Sequence, residues 1–347
     1  MKTSHPDLGK LLERIYASEA YNVELRLRDG GVYAHITWEE ALPPLAATKE
    51  KGVLALDVNA DPYHLALALV RPDGNLRHRF TISLEGVDRA PNRGAKEILL
   101  WRVAHEVADF ALANGVAIAT ERLKYLRKSR RGDGSGRFFR GKQHRFAYAS
   151  LLRKIHALAK KKGVEAIQVN PADTSIIGML KYAPLLSLSK DAAAAYVIGR
   201  RALGFKEELP KAYEKLLQDE VFQEQAKAFY EKLRRDLQAR RKHEKNPYLR
   251  NRLTREIGKA KRALELLSSP RGEPGSRKKS TEGRNFYGVN PWRVLRVGLF
   301  LPLLGREVPG DLSPLKPVLA QGPWERGKIG LGPHPGGGPE CANVRSA

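Results

Sequence analysis

The sequence predicts an α/β fold with a mixed sheet that is flanked by helices. Two short apolar runs follow one another closely, and a Pro-Asp-Gly-Asn turn separates the second run from a third predicted strand. This succession predicts a meander of three strands over residues 53–58, 64–70 and 76–84. Further along the chain, helical apolar stripes alternate with short apolar strands, which is typical of crossover connections in α/β sheets.

The remaining elements are predicted from local patterns. An Asp-Gly-Gly turn between two alternating runs predicts a β-hairpin over residues 21–38, after a short helix within residues 1–20. A broad apolar stripe predicts a helix over residues 96–114, which Gly115 ends. The pattern then predicts a strand at 116–120, a helix at 145–162, a strand at 166–169 and a helix at 192–203.

Composition changes twice in the second half of the chain. Residues 207–268 are charged, carry apolar side chains at helical spacing, and are predicted to form two helices broken near Asn246 and Pro247. From residue 269 onward Gly and Pro dominate, although residues 286–304 are apolar enough to dock on the rest of the protein. We therefore expect four segments: an N-terminal helix and hairpin (1–50), an α/β core (51–205), a basic helical segment (206–268) and a largely irregular tail (269–347).

The chain is strongly basic. It has 62 Lys and Arg against 38 Asp and Glu, a formal net charge of +24. A positive field of this size favours a phosphate backbone as partner. The alternative is a surface adapted to high temperature, but such surfaces usually balance Lys with Glu, and this composition does not.

The composition also excludes several classes of protein. One cysteine, Cys341, rules out an intrachain disulfide framework and a zinc site with several thiolate ligands. No stretch has the order of a signal peptide, and no apolar run approaches the ~20 residues that span a bilayer. We therefore expect a soluble, cytoplasmic protein without a membrane partner.

Three carboxylates occupy chemically suggestive positions. Asp57 ends an apolar run inside the meander, Glu121 ends the following strand, and Asp191 opens a helix. Hard divalent cations take oxygen ligands, and a pair of such ions activates water for attack on a phosphodiester. Taken singly, each acid has an ordinary explanation: a turn residue, an ion-pair partner for nearby cations, or an acid that complements a helix dipole.

The order of the acids along the chain matches a known pattern. Asp57 lies in residues 52–70 and Glu121 in residues 117–123, while Asp191 opens the stretch Asp-Ala-Ala-Ala-Ala-Tyr-Val-Ile. This arrangement resembles the RuvC nuclease domain, a member of the RNase H-like fold. More narrowly, it resembles the TnpB/OrfB accessory proteins of insertion sequences, which are RNA-guided DNA endonucleases related to type V CRISPR effectors. Residues 170–175 are also similar to the Pro-x-x-Thr-Ser element of that family.

The resemblance covers residues 21–205 and implies a function. It implies a Mg²⁺-dependent DNA endonuclease of a transposable element, in which Asp57, Glu121 and Asp191 are catalytic and hold the metal, with Mn²⁺ as a possible substitute. It also implies a guide RNA as partner. The family often carries a four-cysteine zinc ribbon before the third acid, but residues 176–190 contain no cysteine, so no zinc is expected. Residues 1–50 are interpreted as a truncated remnant of the wedge-like region that holds guide and target in the family.

A basic, glycine-containing segment follows Glu121 directly. Beside the acids it is suited to hold phosphates, and its two Phe side chains are suited to stack on bases. The alternative is a solvated loop. The predicted nucleic-acid-binding residues are Arg122, Lys124, Arg127, Lys128, Arg130, Arg131, Arg137, Phe138, Phe139, Arg140 and Lys142.

Three interpretations of function remain open at this level. The first is the RNA-guided endonuclease. The second is a non-cleaving nucleic-acid-binding remnant or repressor that keeps an RNase H-like core. The third is an unguided, structure-selective nuclease that resembles junction resolvases. The basic helices within residues 234–262 are equally suited to lie along nucleic acid or to form a solvated surface.

Overall fold

The computed structural model describes residues 7–60, 63–122, 148–268, 277–279, 285–287 and 290–305. The chain divides into two units, Met1–Pro44 and Leu45–Ala347. In the first unit, the predicted hairpin is confirmed. Helix α1 (Leu8–Tyr16) precedes the antiparallel strands β1 (Asn22–Arg28) and β2 (Gly31–Thr37).

The second unit is built on a five-stranded mixed sheet within the described residues. The meander is confirmed, since β3 (Thr48–Ala60), β4 (Tyr63–Val70) and β5 (Leu76–Ser83) pair antiparallel. Strands β6 (Val116–Glu121) and β7 (Ala166–Val169) then pair parallel on the other side of β3. The order across the sheet is β5-β4-β3-β6-β7, so the first strand of the sheet is central. The α/β class with a mixed sheet is therefore confirmed.

Strand periodicity divides the sheet residues between two faces. One face carries the large side chains Leu54, Leu56, Leu65, Leu67 and Ile118. It packs against helices on that side, and these helices are α2 (Glu85–Asp88), α3 (Arg93–Asn114) and α4 (Tyr148–Lys161).

Helix α3 begins and ends where local chemistry requires. The Asn92 side chain accepts a hydrogen bond from the Ala95 amide (2.8 Å) and so caps the first turn. Gly115 ends the helix in the left-handed conformation (φ 66°), which glycine adopts without steric cost. The helix predicted for residues 96–114 is confirmed and begins three residues earlier, at Arg93.

The opposite face of the sheet carries small side chains. Val53, Ala55, Ala117 and Ala119 form a cluster there with residues of one long helix. A helical segment leads to that helix. It consists of α5 (Thr174–Ile177), the π-helical turn Gly178–Tyr182 and α6 (Ala183–Leu186), after which α7 (Lys190–Ala202) lies on the sheet.

The C-terminal helices share a core with the sheet. Phe222, Tyr230 and Leu267 belong to the same cluster of buried residues as Tyr196 and Val197 of α7. The segment 206–268 therefore packs directly on the helical layer that covers the sheet. The elements in order are α8 (Lys211–Gln218), α9 (Glu220–His243), α10 (Pro247–Ser268), the short strands β8 (Arg277–Lys279) and β9 (Asn285–Tyr287), and α11 (Pro291–Leu304).

Within the tail, the apolar stretch that was expected to dock contains helix α11. Asn290 caps α11 by accepting a hydrogen bond from the Trp292 amide (3.0 Å), and Pro291 stands at its first position. Trp292, Leu295 and Leu299 are buried in the core that the C-terminal helices share with α7. Tertiary packing outweighs the Gly and Pro composition here.

No described helix has both the length and the apolar character that crossing a membrane requires.

Helix α7 approaches the sheet unusually closely at Gly199. A Cβ atom at this position would lie 2.5 Å from Cγ2 of Val70 and 3.1 Å from Cβ of Ala55. Real Cβ atoms do not tolerate the shorter of these distances, so a larger residue must push the helix away from β3 and β4. A second close approach occurs at Gly178, where a Cβ atom would lie 2.7 Å from the carbonyl carbon of Ala193.

The substitution Gly199→Ala tests the importance of this contact. Alanine favours a helix over glycine, but here overpacking against Val70 outweighs that gain, and we expect the free energy of unfolding to fall by about 1–3 kcal/mol. Gly258→Ala in α10 is the matched control, because nothing lies within 4 Å of its added Cβ. It should be neutral or stabilise by up to about 1 kcal/mol. Urea denaturation measures both, and a Gly199→Ala protein as stable as wild type would contradict the close approach.

Candidate metal centre

Asp57 and Glu121 lie side by side on adjacent parallel strands. The register pairs Leu56 of β3 with Thr120 of β6, and each acid is the next residue of its strand. Because successive side chains point to opposite faces, both acids share the face that carries Ala55 and Ala119. This is the face that α7 covers.

Helix α7 brings the third acid to the same face. Ser189 caps the helix by accepting a hydrogen bond from the Ala192 amide (3.2 Å), which fixes Asp191 in the first turn. The Asp191 residue is only 8% exposed. A sheet and a helix that are far apart in sequence therefore place three predicted site residues on one side of the sheet.

The acids influence one another electrostatically. Burial, together with the negative charges of Glu121 and Asp191, raises the pKa of Asp57 to about 7, above its ordinary value of 3.8. Burial also raises the pKa of Glu121, against the lowering effects of Thr174 and Arg201. Like charges and loss of water both favour the protonated acid. The structure thus brings the three acids within electrostatic range of one another.

Two polar side chains from the β3–β4 hairpin accompany the acids. The Asn59 amide donates a hydrogen bond to Oδ2 of Asp57 (3.2 Å). His64 places Nε2 3.3 Å from Oδ2 of Asp191. Asn59 and His64 are register partners, so one strand pair positions a polar neighbour for each aspartate.

Glu121 is held by the loop after β7. The Thr174 hydroxyl donates to Oε1 of Glu121 (2.5 Å) and so fixes the carboxylate at the end of β6. Arg201 of α7 donates from Nη1 to the carbonyl oxygens of Asn170 and Ala172, each at 2.7 Å. Thr174 belongs to the Pro-x-x-Thr-Ser element of the sequence, and its place beside Glu121 gives that element a physical role.

The C-terminal helix braces the same loop. Asp173 adopts a left-handed conformation (φ 64°) one residue before Thr174. Its carboxylate accepts hydrogen bonds from Nδ2 of Asn290 (2.5 Å) and Nε of Arg293 (2.9 Å). The start of α11 is therefore tied to the loop that holds Glu121.

The three acids do not form a closed metal cage as placed. In the described part of the chain, no group of three or more His, Cys, Asp or Glu side chains could hold a metal ion. Of the predicted nucleic-acid-binding residues, Arg122 is described and is exposed directly after Glu121. The others lie outside the described residues, and these are Lys124, Arg127, Lys128, Arg130, Arg131, Arg137, Phe138, Phe139, Arg140 and Lys142.

Sequence reasoning missed His64, Asn59 and Arg201 as neighbours of the acids. A signal for the first two was present in the hairpin. Asn59 has the same strand parity as Asp57, and the β3–β4 turn pairs it with His64. The position of Arg201 depends on how α7 lies across the sheet, which local patterns do not encode.

Comparison with known proteins adds no family assignment. No family model matches the chain, and no curated protein matches it.

The raised pKa of Asp57 predicts a pH-dependent stability. Between pH 3.8 and about 7 the folded protein binds a proton that the unfolded chain releases, so this group makes stability fall as pH rises through that window. We expect Asp57→Asn to stabilise the protein at about pH 8 by about 2–4 kcal/mol, with the gain disappearing towards about pH 4. Urea denaturation in EDTA across this pH range provides the measurement.

Glu106→Gln is the matched control, because Glu106 is an exposed carboxylate on α3. Its difference from wild type should stay flat over the same range. An Asp57→Asn protein that is no more stable than wild type at about pH 8 would show that Asp57 is not destabilised by its charged neighbours.

Proposed function

We propose that this protein is a cytoplasmic, Mg²⁺-dependent DNA endonuclease of the RuvC type, from a TnpB-like transposable element. One observation carries the proposal. Asp57, Glu121 and Asp191 come from separate segments, yet burial and the charges of Glu121 and Asp191 together raise the pKa of Asp57. Mutual repulsion of carboxylates withdrawn from water is costly, and a bound divalent cation relieves it while the acids stay ionised.

The topology supports an RNase H-like core within this proposal. The first strand of the sheet is central, a meander extends it on one side, and two parallel strands extend it on the other. Two acids stand on neighbouring central strands, and the third stands on the helix that crosses the same face. This is the placement that the resemblance to RuvC domains implies for Asp57, Glu121 and Asp191.

The donor set fits a hard cation. Asp57, Glu121 and Asp191 offer carboxylate oxygens without thiolates, which suits Mg²⁺ and also Mn²⁺. Bound divalent ions supply an activated water and stabilise the leaving oxygen of a phosphodiester. The protein's own contribution is orientation, because Asn59 fixes Asp57 and Thr174 fixes Glu121 before any substrate arrives. His64 plays the same part for Asp191.

The charge of the chain supports nucleic acid as the partner. A net charge of +24 favours a polyanion, and Arg122 is exposed directly beside Glu121. By resemblance, a guide RNA selects the DNA target, so that base pairing supplies sequence choice and the protein supplies backbone contacts.

Asp57→Ala tests the proposed chemistry. Removing one carboxylate from a shared metal centre costs several kcal/mol of transition-state stabilisation, so we expect Mg²⁺-dependent DNA cleavage to fall by about 100- to 1,000-fold or more. Binding of the same DNA in EDTA should persist. Electrophoretic cleavage assays with and without Mg²⁺ measure the first quantity, and fluorescence anisotropy measures the second.

Glu106→Ala removes an equal charge from an exposed site on α3 and should cut as wild type does. If Asp57→Ala cuts equally well, the assignment of the three acids is wrong.

A non-cleaving nucleic-acid-binding protein is the second candidate function. The observation that favours it is that the acids, as placed in the described residues, do not form a group that could hold a metal ion. This candidate predicts that wild-type protein binds DNA but shows no cleavage with Mg²⁺ or Mn²⁺, under conditions where binding is saturated. Metal-dependent cleavage that requires Asp57 excludes it.

The guided mechanism predicts a bound RNA. Protein purified from cells that carry its native flanking DNA should retain a discrete RNA species, because guide contacts involve many backbone phosphates. Sequencing the co-purified RNA is the measurement, and RNA from cells that express Asp57→Ala is the control for degradation by the enzyme itself. A heterogeneous RNA background in both preparations would favour the unguided, structure-selective nuclease.

A further inference from the structure

The outer part of the α9–α10 hairpin projects away from the hydrophobic core. The buried residues of α9 end at Tyr230, and those of α10 begin at Ala260. Residues 231–259, which we call the distal arm, are all described, and none of them is buried. The α9 part alone spans about 20 Å at 1.5 Å per residue. The distal arm therefore adds little to the core and presents two helix surfaces to solvent.

The distal arm is strongly and unevenly charged. It contains eleven Lys and Arg against four Asp and Glu, a net charge of +7 with His243 counted as neutral. Glu256 already engages Lys259 at 3.0 Å and lies 3.9 Å from Arg255. Among the described residues the structure gives no ion pair for eight exposed cations of the arm, which are Lys232, Arg235, Arg240, Arg241, Lys242, Lys245, Arg250 and Arg252.

A solvated helix surface does not account for this distribution. Exposed helices usually mix charges of both signs, because like charges three or four residues apart destabilise a helix. In α10, Arg252, Arg255 and Lys259 follow one another at helical spacing on one surface, where the single negative charge of Glu256 leaves a positive excess. In α9, Arg240, Arg241 and Lys242 are consecutive at the end of the helix. Repulsion among the cations of α10 disfavours the free arm, and a polyanion bound to the arm relieves it.

The aromatic content of the distal arm distinguishes between single-stranded and double-stranded nucleic acid as its ligand. Single-stranded nucleic acid is typically held by bases that stack on aromatic side chains. Tyr248 is the one Phe, Tyr or Trp in residues 231–259, and it is only 37% exposed. Arginine and lysine without aromatic side chains instead suit the continuous phosphates of a duplex. We propose that the distal arm is a binding site for the phosphate backbone of double-stranded nucleic acid.

This binding site is separate from the candidate metal centre, because no residue of the arm contributes to the acids or their hydrogen bonds. It makes sequence-independent contacts, and its affinity falls steeply with salt. It also requires no divalent cation. The arm therefore supplies affinity for a duplex whether or not the protein cleaves it.

The test uses a variant of the full chain in which five cations of the distal arm are replaced by Gln. Its binding to a labelled DNA duplex of arbitrary sequence, and to an RNA duplex of the same length, is measured by anisotropy in EDTA over a series of salt concentrations. We expect affinity at low salt to fall at least about tenfold and the slope of log K against log salt to decrease by about 3–4. The substitutions are Arg240→Gln, Arg241→Gln, Lys242→Gln, Arg250→Gln and Arg252→Gln.

A charge-matched control distinguishes the arm from net charge alone. It neutralises five exposed cations of α3 and α4 and should leave affinity and salt slope within about twofold of wild type. A variant that keeps the charge, with Lys in place of the four arginines Arg240, Arg241, Arg250 and Arg252, should bind the duplex about as well as wild type, because the phosphates respond to the charge of the side chain. The control substitutions are Arg93→Gln, Arg102→Gln, Arg153→Gln, Lys160→Gln and Lys161→Gln.

Each outcome of these binding measurements either supports or overturns the proposal. Loss of duplex binding in the arm variant but not in the control supports the proposal, and the probe that loses more identifies DNA or RNA as the duplex. Equal loss in both variants overturns it, as does unchanged binding in the arm variant. Tighter binding of a single-stranded probe, with equal loss on neutralisation, also overturns it. Binding is measured in EDTA, where no metal-dependent cleavage takes place. The result therefore does not depend on whether the protein is an endonuclease.

Discussion

The close approach of α7 to the sheet is the constraint on which the rest of the second unit depends. Small residues make it possible, since Gly199 lies against Val70 and Ala55 where no side chain fits. The same helix carries Asp191 in its first turn and Arg201 in its last. Adding one methyl group at Gly199 would displace α7, and the Asp191 carboxylate and the Arg201 guanidinium would move with it. The packing of one helix sets the geometry of the whole candidate centre.

Two partly buried acids in this unit, Glu207 and Asp57, have pKa values shifted in opposite directions. Burial raises the pKa of Glu207, but Lys181 and Arg200 outweigh it and hold that pKa below the ordinary value. Its side chain is 2% exposed, and it accepts hydrogen bonds from Lys181 (3.0 Å) and Arg200 (2.7 Å). Asp57 has instead two carboxylates as neighbours, so burial and repulsion act in the same direction. Glu207 is a satisfied structural charge, whereas Asp57 remains destabilised in the folded protein, and such uncompensated groups are typical of functional sites.

Much of the sheet and the positions of the acids follow from the sequence, because continuous apolar runs mark the central strands and the alternation of side chains along a strand then assigns each residue to a face. For this reason the sequence shows Asp57 on one strand and Glu121 at the end of another. What local patterns missed depends on tertiary contacts. The docking of α11 follows from Trp292 and Leu295 entering a core supplied by distant helices, and its tie to Asp173 follows from that docking. Composition alone predicts an irregular tail because it counts Gly and Pro without knowing which surface the apolar residues between them can reach.

The distribution of charge has a further consequence for catalysis. A phosphodiester is itself an anion, so a site made of Asp57, Glu121 and Asp191 repels the substrate that we propose for it. A hard cation reverses the sign of that site, and without one the acids disfavour approach of the backbone. The basic residues elsewhere act in the opposite way, because they attract the backbone at any metal concentration. In the proposed function, groups of opposite sign therefore carry binding and chemistry, and only the chemistry depends on a metal. If one carboxylate of such a protein is lost, cleavage should stop while binding of nucleic acid continues. The expected result is a nucleic-acid-binding protein that does not cleave.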